Sequence, residues 1–386
     1  MPNRDDDLEW LYGRDRPAPE PERTRVMDRT VMEPPQPPST APGRPPGPPG
    51  PPPPSARPQR PPQPPRRKHP VRTVFLVIAA LLALALIWLI GVPAYAWSKV
   101  SRLDADPGGD RPGNQPGQTF LLVGSDSREG LSKEEQKRLG TGSTAGRRTD
   151  TIMLVYVPVG GKPALISVPR DSYLPIPGKG RNKINASYAF GGPELLVKTV
   201  EANTGLRVDS YVEIGFGGFV NIIDALGGIQ MCLPKAIKDK DSHLNLPKGC
   251  QNMDGTTALG YVRMRKADPR GDLGRVERQR EMLAAVAKKA ASPATVVNPA
   301  RYWNLSNAST RAVTLDEGTS LFGFSRLALA MRRVSNGDGY TLTVPIANNN
   351  ASTSAGSAVL WDKGKAEAMF GDLARGDTDD LAKYAK

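Results

Sequence analysis

The stretch RRTDTIMLVYVPVGGKPALISVPRD, residues 147–171, decides the fold. It contains two apolar runs, residues 151–157 and 163–168, that are rich in β-branched side chains. Only five residues separate the runs, and a glycine pair lies among them. Two short apolar runs joined by a glycine-containing turn predict an antiparallel hairpin.

The predicted hairpin brings together the charged residues that precede its first strand and follow its second. The start of one antiparallel strand lies beside the end of the next, so Asp150 is expected next to Arg170 and Asp171. Upstream, residues 119–123 form another apolar run that is followed by Ser-Asp-Ser-Arg at 125–128. If that run is parallel to the second hairpin strand, its carboxyl end reaches the same edge. Ligands bind at such edges in open α/β sheets.

Strand and helix patterns alternate through the rest of the chain. This alternation predicts an α/β class, specifically an α/β/α layered domain with a central mixed β-sheet. Further strands are predicted at residues 210–214, 340–344 and 358–361, and helices at 193–203, 219–226, 274–291, 321–334 and 363–373.

The N-terminal region differs from the rest in composition. Of the 39 prolines among 386 residues, 23 lie within residues 1–70. A segment so poor in apolar residues cannot offset its chain entropy by burial, so residues 1–73 are predicted to be a disordered cytoplasmic tail. A docking arm for proline-binding modules is the alternative to a simple solvated tail.

Residues 74–97 contain no charge and predict a transmembrane helix. Twenty-four helical residues measure about 36 Å, which exceeds the ~30 Å hydrocarbon thickness of a bilayer. The alternative is a cleaved signal peptide, since Ala94-Tyr95-Ala96 resembles a cleavage site, but the run is long and lies far from the N-terminus. Basic residues crowd its first flank, so the tail is expected in the cytoplasm and residues 98–386 outside a plasma membrane that the chain crosses once.

The outer part is predicted to consist of a linker at 98–117 and one domain at 118–386. Its two cysteines, Cys232 and Cys250, would meet an oxidising compartment, which favours a disulfide over two free buried thiols. Two histidines in the whole chain exclude a zinc site with several histidines, and a Ser-His-Asp triad would depend on His243 alone.

Charged residues cluster around the predicted edge, with many arginines, a few carboxylates and no histidine. Guanidinium groups bind phosphate through two nitrogens, and two carboxylates from different strands suit Mg²⁺, with Mn²⁺ as the alternative. The combination predicts a pyrophosphate site; taken singly, each arginine of this set is better explained as a surface charge. Nucleic acid is not expected as a partner, because aromatic residues are not interleaved with the basic ones. The set is Asp126, Arg128, Arg147, Arg148, Asp150, Arg170, Asp171, Lys183, Arg263, Arg265, Arg275, Arg278 and Gln279.

Seven blocks of the chain resemble the LytR-CpsA-Psr family, in the order that the family shows. They span the motif core, residues 118–292. The blocks are FLLVGSDSR (120–128), RRTDTIMLVYV (147–157), LISVPRDSYLPIPG (165–178), KINASYAFGGPELLVKTVEANTG (183–205), YVEIGFGGFVNIIDALGGI (211–229), ALGYVRMRK (258–266) and DLGRVERQREML (272–283).

The resemblance implies a Mg²⁺-dependent ligase that transfers a glycopolymer from a polyprenyl-pyrophosphate carrier to peptidoglycan. It implies that the metal ligands are Asp126 and Asp150, and that two helices, 193–203 and 219–226, line a groove for the lipid. The stretch between Arg265 and Arg275 looks longer than in the family. The implied pyrophosphate-binding residues are Arg128, Arg170, Lys183, Arg263, Arg265, Arg275 and Gln279, and the implied catalytic residues are Arg170, Asp171, Arg263 and Arg275.

Two other functions fit the same sequence. One is a membrane-anchored regulator that binds the lipid carrier without turnover. The other is a pyrophosphatase that uses water in place of a sugar hydroxyl. The particular glycopolymer and acceptor sugar are not encoded in any pattern of the sequence.

Overall fold

The computed structural model describes residues 50, 70–126, 149–239, 242, 244–264 and 271–384, with only the backbone of 271–273. Most of the proline-rich tail lies outside these residues. So do four members of the charged set, Arg128, Arg147, Arg148 and Arg265, and also His243.

The predicted apolar helix is present as α1, Pro70–Trp97. Its segment Val71–Trp97 is long and apolar enough to cross a membrane by length and composition, and its side chains are mostly exposed. It contains one proline, Pro93. A proline inside a helix lacks the N–H that would otherwise bond the carbonyl four residues earlier.

A seven-stranded mixed sheet forms the centre of the domain, which confirms the predicted fold class. Its middle strands are apolar on both faces because helices cover both sides. In spatial order the strands are β1 (Ser101–Leu103), β12 (Val313–Asp316), β7 (Ser210–Gly215), β2 (Gln118–Ser125), β3 (Thr149–Val157), β4 (Ala164–Val168) and β13 (Tyr340–Thr343).

Helices form a layer on each face of this sheet. One layer contains α2 (Ile184–Thr204) and α9 (Lys363–Ala374), which pack on Leu121, Leu154 and Ile166. On the opposite face, the core contains α8 (Leu321–Ser335). The remaining helices on this side are α3 (Phe216–Ala225), α4 (Gly255–Arg263), α5 (Gly271–Ala290), α6 (Pro293–Val296) and α7 (Pro299–Ala312).

Within the described residues, four small two-stranded sheets lie outside the central sheet. They are β5 (Tyr173–Ile176) with β6 (Gly180–Lys183), β8 (Ile229–Leu233) with β11 (Gly249–Met253), β9 (Ile237–Asp239) with β10 (Leu244–Leu246), and β14 (Ile346–Thr353) with β15 (Gly356–Trp361). Cys232 and Cys250 lie opposite each other in β8 and β11 and form a disulfide, as predicted.

The structure differs from the sequence patterns at several elements, of which three bear on the sheet and its surroundings. Helix α2 begins nine residues earlier than predicted, with non-helical backbone at Gly191 and Gly192. The predicted strand at 358–361 pairs with β14 outside the main sheet. The proline- and glycine-rich segment after α1 packs closely: it contributes β1, and its Arg111 pairs with buried Glu201 at 2.7 Å.

One close helix contact depends on a glycine. A Cβ atom added to Gly218 of α3 would lie 2.5 Å from the carbonyl oxygen of Ala312, the last residue of α7. Backbone atoms cannot give way as the end of a flexible side chain can. The absence of a side chain at position 218 therefore allows α3 and α7 to pack directly on each other.

Candidate functional site

Four strand ends meet at one edge of the central sheet. Strands β2 and β7 run parallel and end together, at Ser125 and Gly215. Strand β3 runs antiparallel to both β2 and β4, so its start lies at this edge with the end of β4. The end of β2, the start of β3 and the end of β4 were predicted to meet at one edge, and they do; the end of β7 was not predicted there. A register shift in β3, beside Ser125, falls at Asp150.

Asp150 and Arg170 form an ion pair and hydrogen bond at this edge. Arg170 also approaches Asp171, with 3.4 Å between Nε and a carboxylate oxygen. The other oxygen of Asp171 lies 3.4 Å from Nζ of Lys183. These four side chains are all partly exposed, so the network faces solvent at the edge. Positive and negative side chains therefore alternate along this edge.

The loop that carries Arg170 is held by two other elements. The backbone carbonyl of Arg170 accepts a hydrogen bond from the N–H of Asn185 at the start of α2. The N–H of Val359 in β15 donates to the carbonyl of Asp171, and the indole of Trp361 donates to Ser172 at 2.8 Å. These bonds fix the backbone on both sides of the guanidinium. A positioned guanidinium loses less entropy when it binds an anion.

An apolar cavity opens beside the charged network. It has an empty volume of about 760 Å³, including its open mouth. Strands β2, β3 and β7 form its floor, and helices α3, α4 and α5 form its walls. Apolar side chains make up most of the lining: Leu122, Val123, Met153, Val212, Ile214, Phe216, Phe219, Leu259, Val262 and Leu283.

Polar residues line this cavity at Asp150, Thr151, Arg263 and Gln279. The guanidinium of Arg263 lies over the ring of Phe216, 4.7 Å from its centre, a cation–π arrangement. Arg263 is the last residue of α4, the helix that also contributes Leu259 and Val262 to the cavity wall.

Helix α5 carries three residues of the predicted set. Arg275 is 4% exposed, and Gln279, one turn later, lines the cavity. Arg278 is equally buried and donates to the backbone carbonyls of Tyr261 and Met264. Arg278 therefore holds the end of α4 against α5, which is a structural role.

A buried phenol–carboxylate cluster beside the edge was not predicted. Tyr188 of α2 and Tyr211 of β7 both donate to Glu213, at 2.9 and 2.7 Å. Burial, and then the charge of Glu213, raise the pKa of Tyr211. The available signal was a charged residue within the otherwise uncharged strand sequence SYVEIG. The cluster ties α2, which follows Lys183, to the sheet.

The two helical segments predicted to line a lipid groove lie on opposite faces of the sheet. Helix α3, which covers the predicted segment 219–226 closely, contributes Phe216 and Phe219 to the cavity wall. The segment 193–203 lies in α2 and packs into the core on the opposite face of the sheet. It therefore does not line this cavity.

The carboxylates at the edge suit a hard divalent cation. Asp126 follows Ser125, and Asp150 follows the residue paired with Ser125, so both flank one strand pair. Within the described residues, no three His, Cys, Asp or Glu side chains are grouped closely enough to hold a metal. Mg²⁺ typically takes one or two carboxylates and completes its shell with water and substrate phosphates. The residues present therefore fit Mg²⁺ bound together with a phosphorylated ligand.

An α/β/α domain with charged groups at the mouth of an apolar cavity has the features of a small-molecule binding protein, since ligand sites are typically apolar clefts with a few convergent polar groups. The family model described as LytR_cpsA_psr family matches residues 98–372. The chain belongs to this family.

Curated relatives are similar over much of the chain. The probable cell wall biosynthesis protein LcpB of Corynebacterium glutamicum is 47% identical over 297 residues, covering 77% of this chain and 70% of LcpB. The polyisoprenyl-teichoic acid–peptidoglycan teichoic acid transferase TagU of Oceanobacillus iheyensis is 38% identical, covering 50% of this chain and 59% of TagU.

Solved structures share the fold. A LytR-Csp2A-Psr enzyme from Actinomyces oris superposes with a TM-score of 0.56 at 22% identity, covering 71% of this chain and 96% of that one. TagV of Bacillus subtilis gives a TM-score of 0.55 at 23% identity, covering 69% and 98%.

Proposed function

We propose that the chain is a membrane-anchored phosphotransferase that moves a glycopolymer from a polyprenyl-pyrophosphate carrier to peptidoglycan, forming a phosphodiester. The observation that carries this proposal is the position of Asp150, Arg263 and Gln279 in the lining of one apolar cavity. A polyprenyl pyrophosphate has the matching chemistry, since an apolar chain adjoins a polyanion. The names of LcpB and TagU, a cell wall biosynthesis protein and a teichoic acid transferase, support the choice of substrates.

The polyprenyl chain would occupy the cavity between α3, α4 and α5. The pyrophosphate would then lie at the strand edge, where Arg170, Lys183 and Arg263 can neutralise its charge. We place Arg275 and Gln279 beside it from α5, and assign Arg128 and Arg265 to the same task by their sequence motifs. Bidentate guanidinium contacts fix phosphate orientation as well as charge.

The acceptor hydroxyl of peptidoglycan would attack the phosphorus that bears the sugar. The bond from this phosphorus to the bridging oxygen breaks, and polyprenyl monophosphate leaves with the bridging oxygen. The proton of the acceptor hydroxyl is released to the departing phosphate or to water. Negative charge accumulates on that leaving phosphate, and the guanidinium groups of Arg170 and Arg263 would offset it. Preorganised donors of this kind provide the largest single contribution to many enzymatic rates.

Asp126 and Asp150 would hold Mg²⁺. When bound, the cation would neutralise phosphate charge and help to orient the two phosphates. Asp150, which pairs with Arg170 in this structure, would be one of the two carboxylates that hold the cation. Asp171 would retain its contacts with Arg170 and Lys183, and would keep the guanidinium and the ammonium group directed toward the edge.

The test is a reconstituted reaction of the full chain. A polyprenyl-pyrophosphoryl glycan, Mg²⁺ and a peptidoglycan oligomer should yield polyprenyl monophosphate and a phosphodiester-linked glycan. Asp150→Asn should abolish the Mg²⁺-dependent turnover. Asp338→Asn is the matched control, because it removes the carboxylate from an Arg–Asp pair outside the site, Arg333 with Asp338.

Other outcomes would contradict the proposal in different ways. Tight binding of the carrier with no monophosphate released under any acceptor would indicate a carrier-binding regulator. Monophosphate released at an equal rate without acceptor would indicate a pyrophosphatase.

A further inference from the structure

Helix α7 touches the apolar helix α1 through two aromatic residues. Trp303 stacks with both Trp88 and Tyr95, with 5.9 Å between ring centres in each pair. Trp88 and Tyr95 are seven residues apart, which is two helical turns, so they share one face of α1. The hydroxyl of the neighbouring Tyr302 donates to the carbonyl oxygen of Leu89 at 2.8 Å.

The carbonyl of Leu89 is a specific target. In a helix it would accept the N–H of residue 93, four positions later, but residue 93 is proline and has none. Within a bilayer, a backbone group without a partner costs several kcal/mol, and side chains of neighbouring helices commonly satisfy carbonyls freed by proline. Tyr302 supplies the missing donor.

The depth of this contact follows from the length of α1. If Arg72 marks the inner boundary, a span of about 20 residues covers the ~30 Å core and ends near Pro93. Leu89 then lies about 6 Å inside the outer edge of the hydrocarbon, at 1.5 Å per residue. Helices that lie in a membrane interface bury their apolar side by about 5–10 Å, so this depth is typical of them.

The chain near the start of α7 carries further features of an interfacial segment. Val297, two residues before the helix, is 79% exposed, and Trp303 is 39% exposed despite its stacking. Arg301 is also exposed and offers positive charge to anionic headgroups. An exposed apolar residue, an interfacial tryptophan and a basic residue are the composition that favours a membrane surface.

We propose that residues 297–303 dock in the outer leaflet of the membrane that α1 spans, clamped to α1 by Tyr302 at the carbonyl freed by Pro93. The occupant of this surface is the lipid bilayer, because Tyr302 and Trp303 of the segment contact the anchor helix itself. Since α7 packs on α3, a wall of the apolar cavity, the clamp holds that cavity at the membrane from which a lipid carrier must come. This inference rests on the proposed membrane anchoring by α1.

Spin-label accessibility in the full chain, reconstituted in phosphatidylglycerol vesicles, tests the depth. The native cysteines form a disulfide, so an introduced cysteine is labelled alone. Val297→Cys should gain accessibility to oxygen and lose accessibility to a water-soluble nickel chelate several-fold, relative to Val159→Cys. Val159 is the matched control, an exposed loop valine that is 83% exposed.

A third label, Leu82→Cys in the middle of α1, separates the two proposals. An oxygen-accessible label at 82 with a nickel-accessible label at 297 would overturn the docking inference and leave the anchoring intact. A nickel-accessible label at 82 would overturn the anchoring itself.

A double-mutant cycle tests the clamp. Tyr302→Phe removes only the hydroxyl, and should broaden the distance distribution between spin labels on α1 and α7. Pro93→Ala restores the helical N–H for Leu89, so Tyr302→Phe should have a much smaller effect in that background. Equal broadening by Tyr302→Phe in both backgrounds would show that the hydroxyl does not serve the carbonyl freed by proline.

Discussion

The guanidinium of Arg170 contacts two carboxylates, and hydrogen bonds hold the backbone around it. Its function is open to a direct chemical test. Arg170 contacts Asp150 and Asp171, and its backbone carbonyl accepts a bond from α2. A guanidinium presents several donors in one plane, whereas an ammonium is a point charge that cannot hold two phosphate oxygens in a fork.

Arg170→Lys is therefore expected to lower the rate of glycopolymer transfer by about 10²–10³, nearly as much as Arg170→Ala, by comparison with the removal of one oxyanion donor. Steady-state release of polyprenyl monophosphate measures it. Arg333→Lys, which alters an exposed ion pair elsewhere, is the matched control. If Arg170→Lys retained most of the activity, bidentate binding at this residue would be excluded.

The sequence was most informative for residues whose neighbours are set by local topology. Asp150 and Arg170 could be placed together because a five-residue turn joins their strands. The cluster of Tyr188, Tyr211 and Glu213 could not, since its members come from α2 and β7, whose relative position depends on tertiary packing.

At the scale of elements, the pair β8 and β11 depends on its disulfide. The strands are short, and alternate residues point to solvent. A two-stranded sheet of this kind is only marginally stable without further support. The disulfide closes a loop with a sequence separation of 18 residues.

Cys232→Ser should lower the free energy of unfolding by about 3 kcal/mol in the chain-entropy description, and should spare transfer activity. Denaturant unfolding with and without reductant measures the effect. Reductant should destabilise the wild type and leave the variant unchanged. Equal stability of both proteins without reductant would show that the bond contributes nothing.

The C-terminal turn Leu381–Tyr384 is tied to α9 through Asp372. Asp372 accepts bonds from Arg375 at 2.6 Å, from Lys383 at 3.0 Å and from Tyr384 at 2.9 Å. Burial alone would raise the pKa of Asp372, but the hydrogen bonds from Lys383 and Tyr384 outweigh it and lower the pKa.

A lowered pKa means that the ionised carboxylate favours the folded state. Its contribution is present above the ordinary aspartate value of about 3.9 and is lost as pH falls through the lower folded value. Asp372→Asn should therefore lower the melting temperature at neutral pH, and the difference from the wild type should shrink in strong acid. The exposed Asp380→Asn is the control; a difference independent of pH would contradict the assignment.

Element boundaries show what the sequence patterns could not give. Helix α7 was not predicted, because its sequence PARYWNLSNASTRA has no continuous apolar stripe. Its packing on α1 and α3 stabilises it instead. Strands of the main sheet were predicted closely, since burial on both faces leaves an unbroken apolar run.

At the scale of the whole molecule, the orientation across the membrane is the main expectation still to be tested. Arg66, Arg67 and Lys68 precede α1 and Arg72 lies in its first turn, whereas acidic residues dilute the positive charge after the helix. The positive-inside rule therefore places the α/β/α domain outside the cytoplasm.

Protease added to intact spheroplasts should digest the domain and spare the proline-rich tail. Antibodies against each part would follow the fragments, and lysed spheroplasts provide the control in which both parts are cleaved. Protection of the domain in intact spheroplasts would reverse the topology.

The glycine at position 218 has a consequence for how the molecule can vary. Backbone lies against backbone there, so even a methyl group would act as a wedge between α3 and α7. Such a side chain would displace α3, which carries Phe216 and Phe219 of the cavity wall. It would also displace α7, which contacts α1. The width of the cavity and the position of α7 relative to α1 therefore both depend on residue 218, and a side chain there would change both.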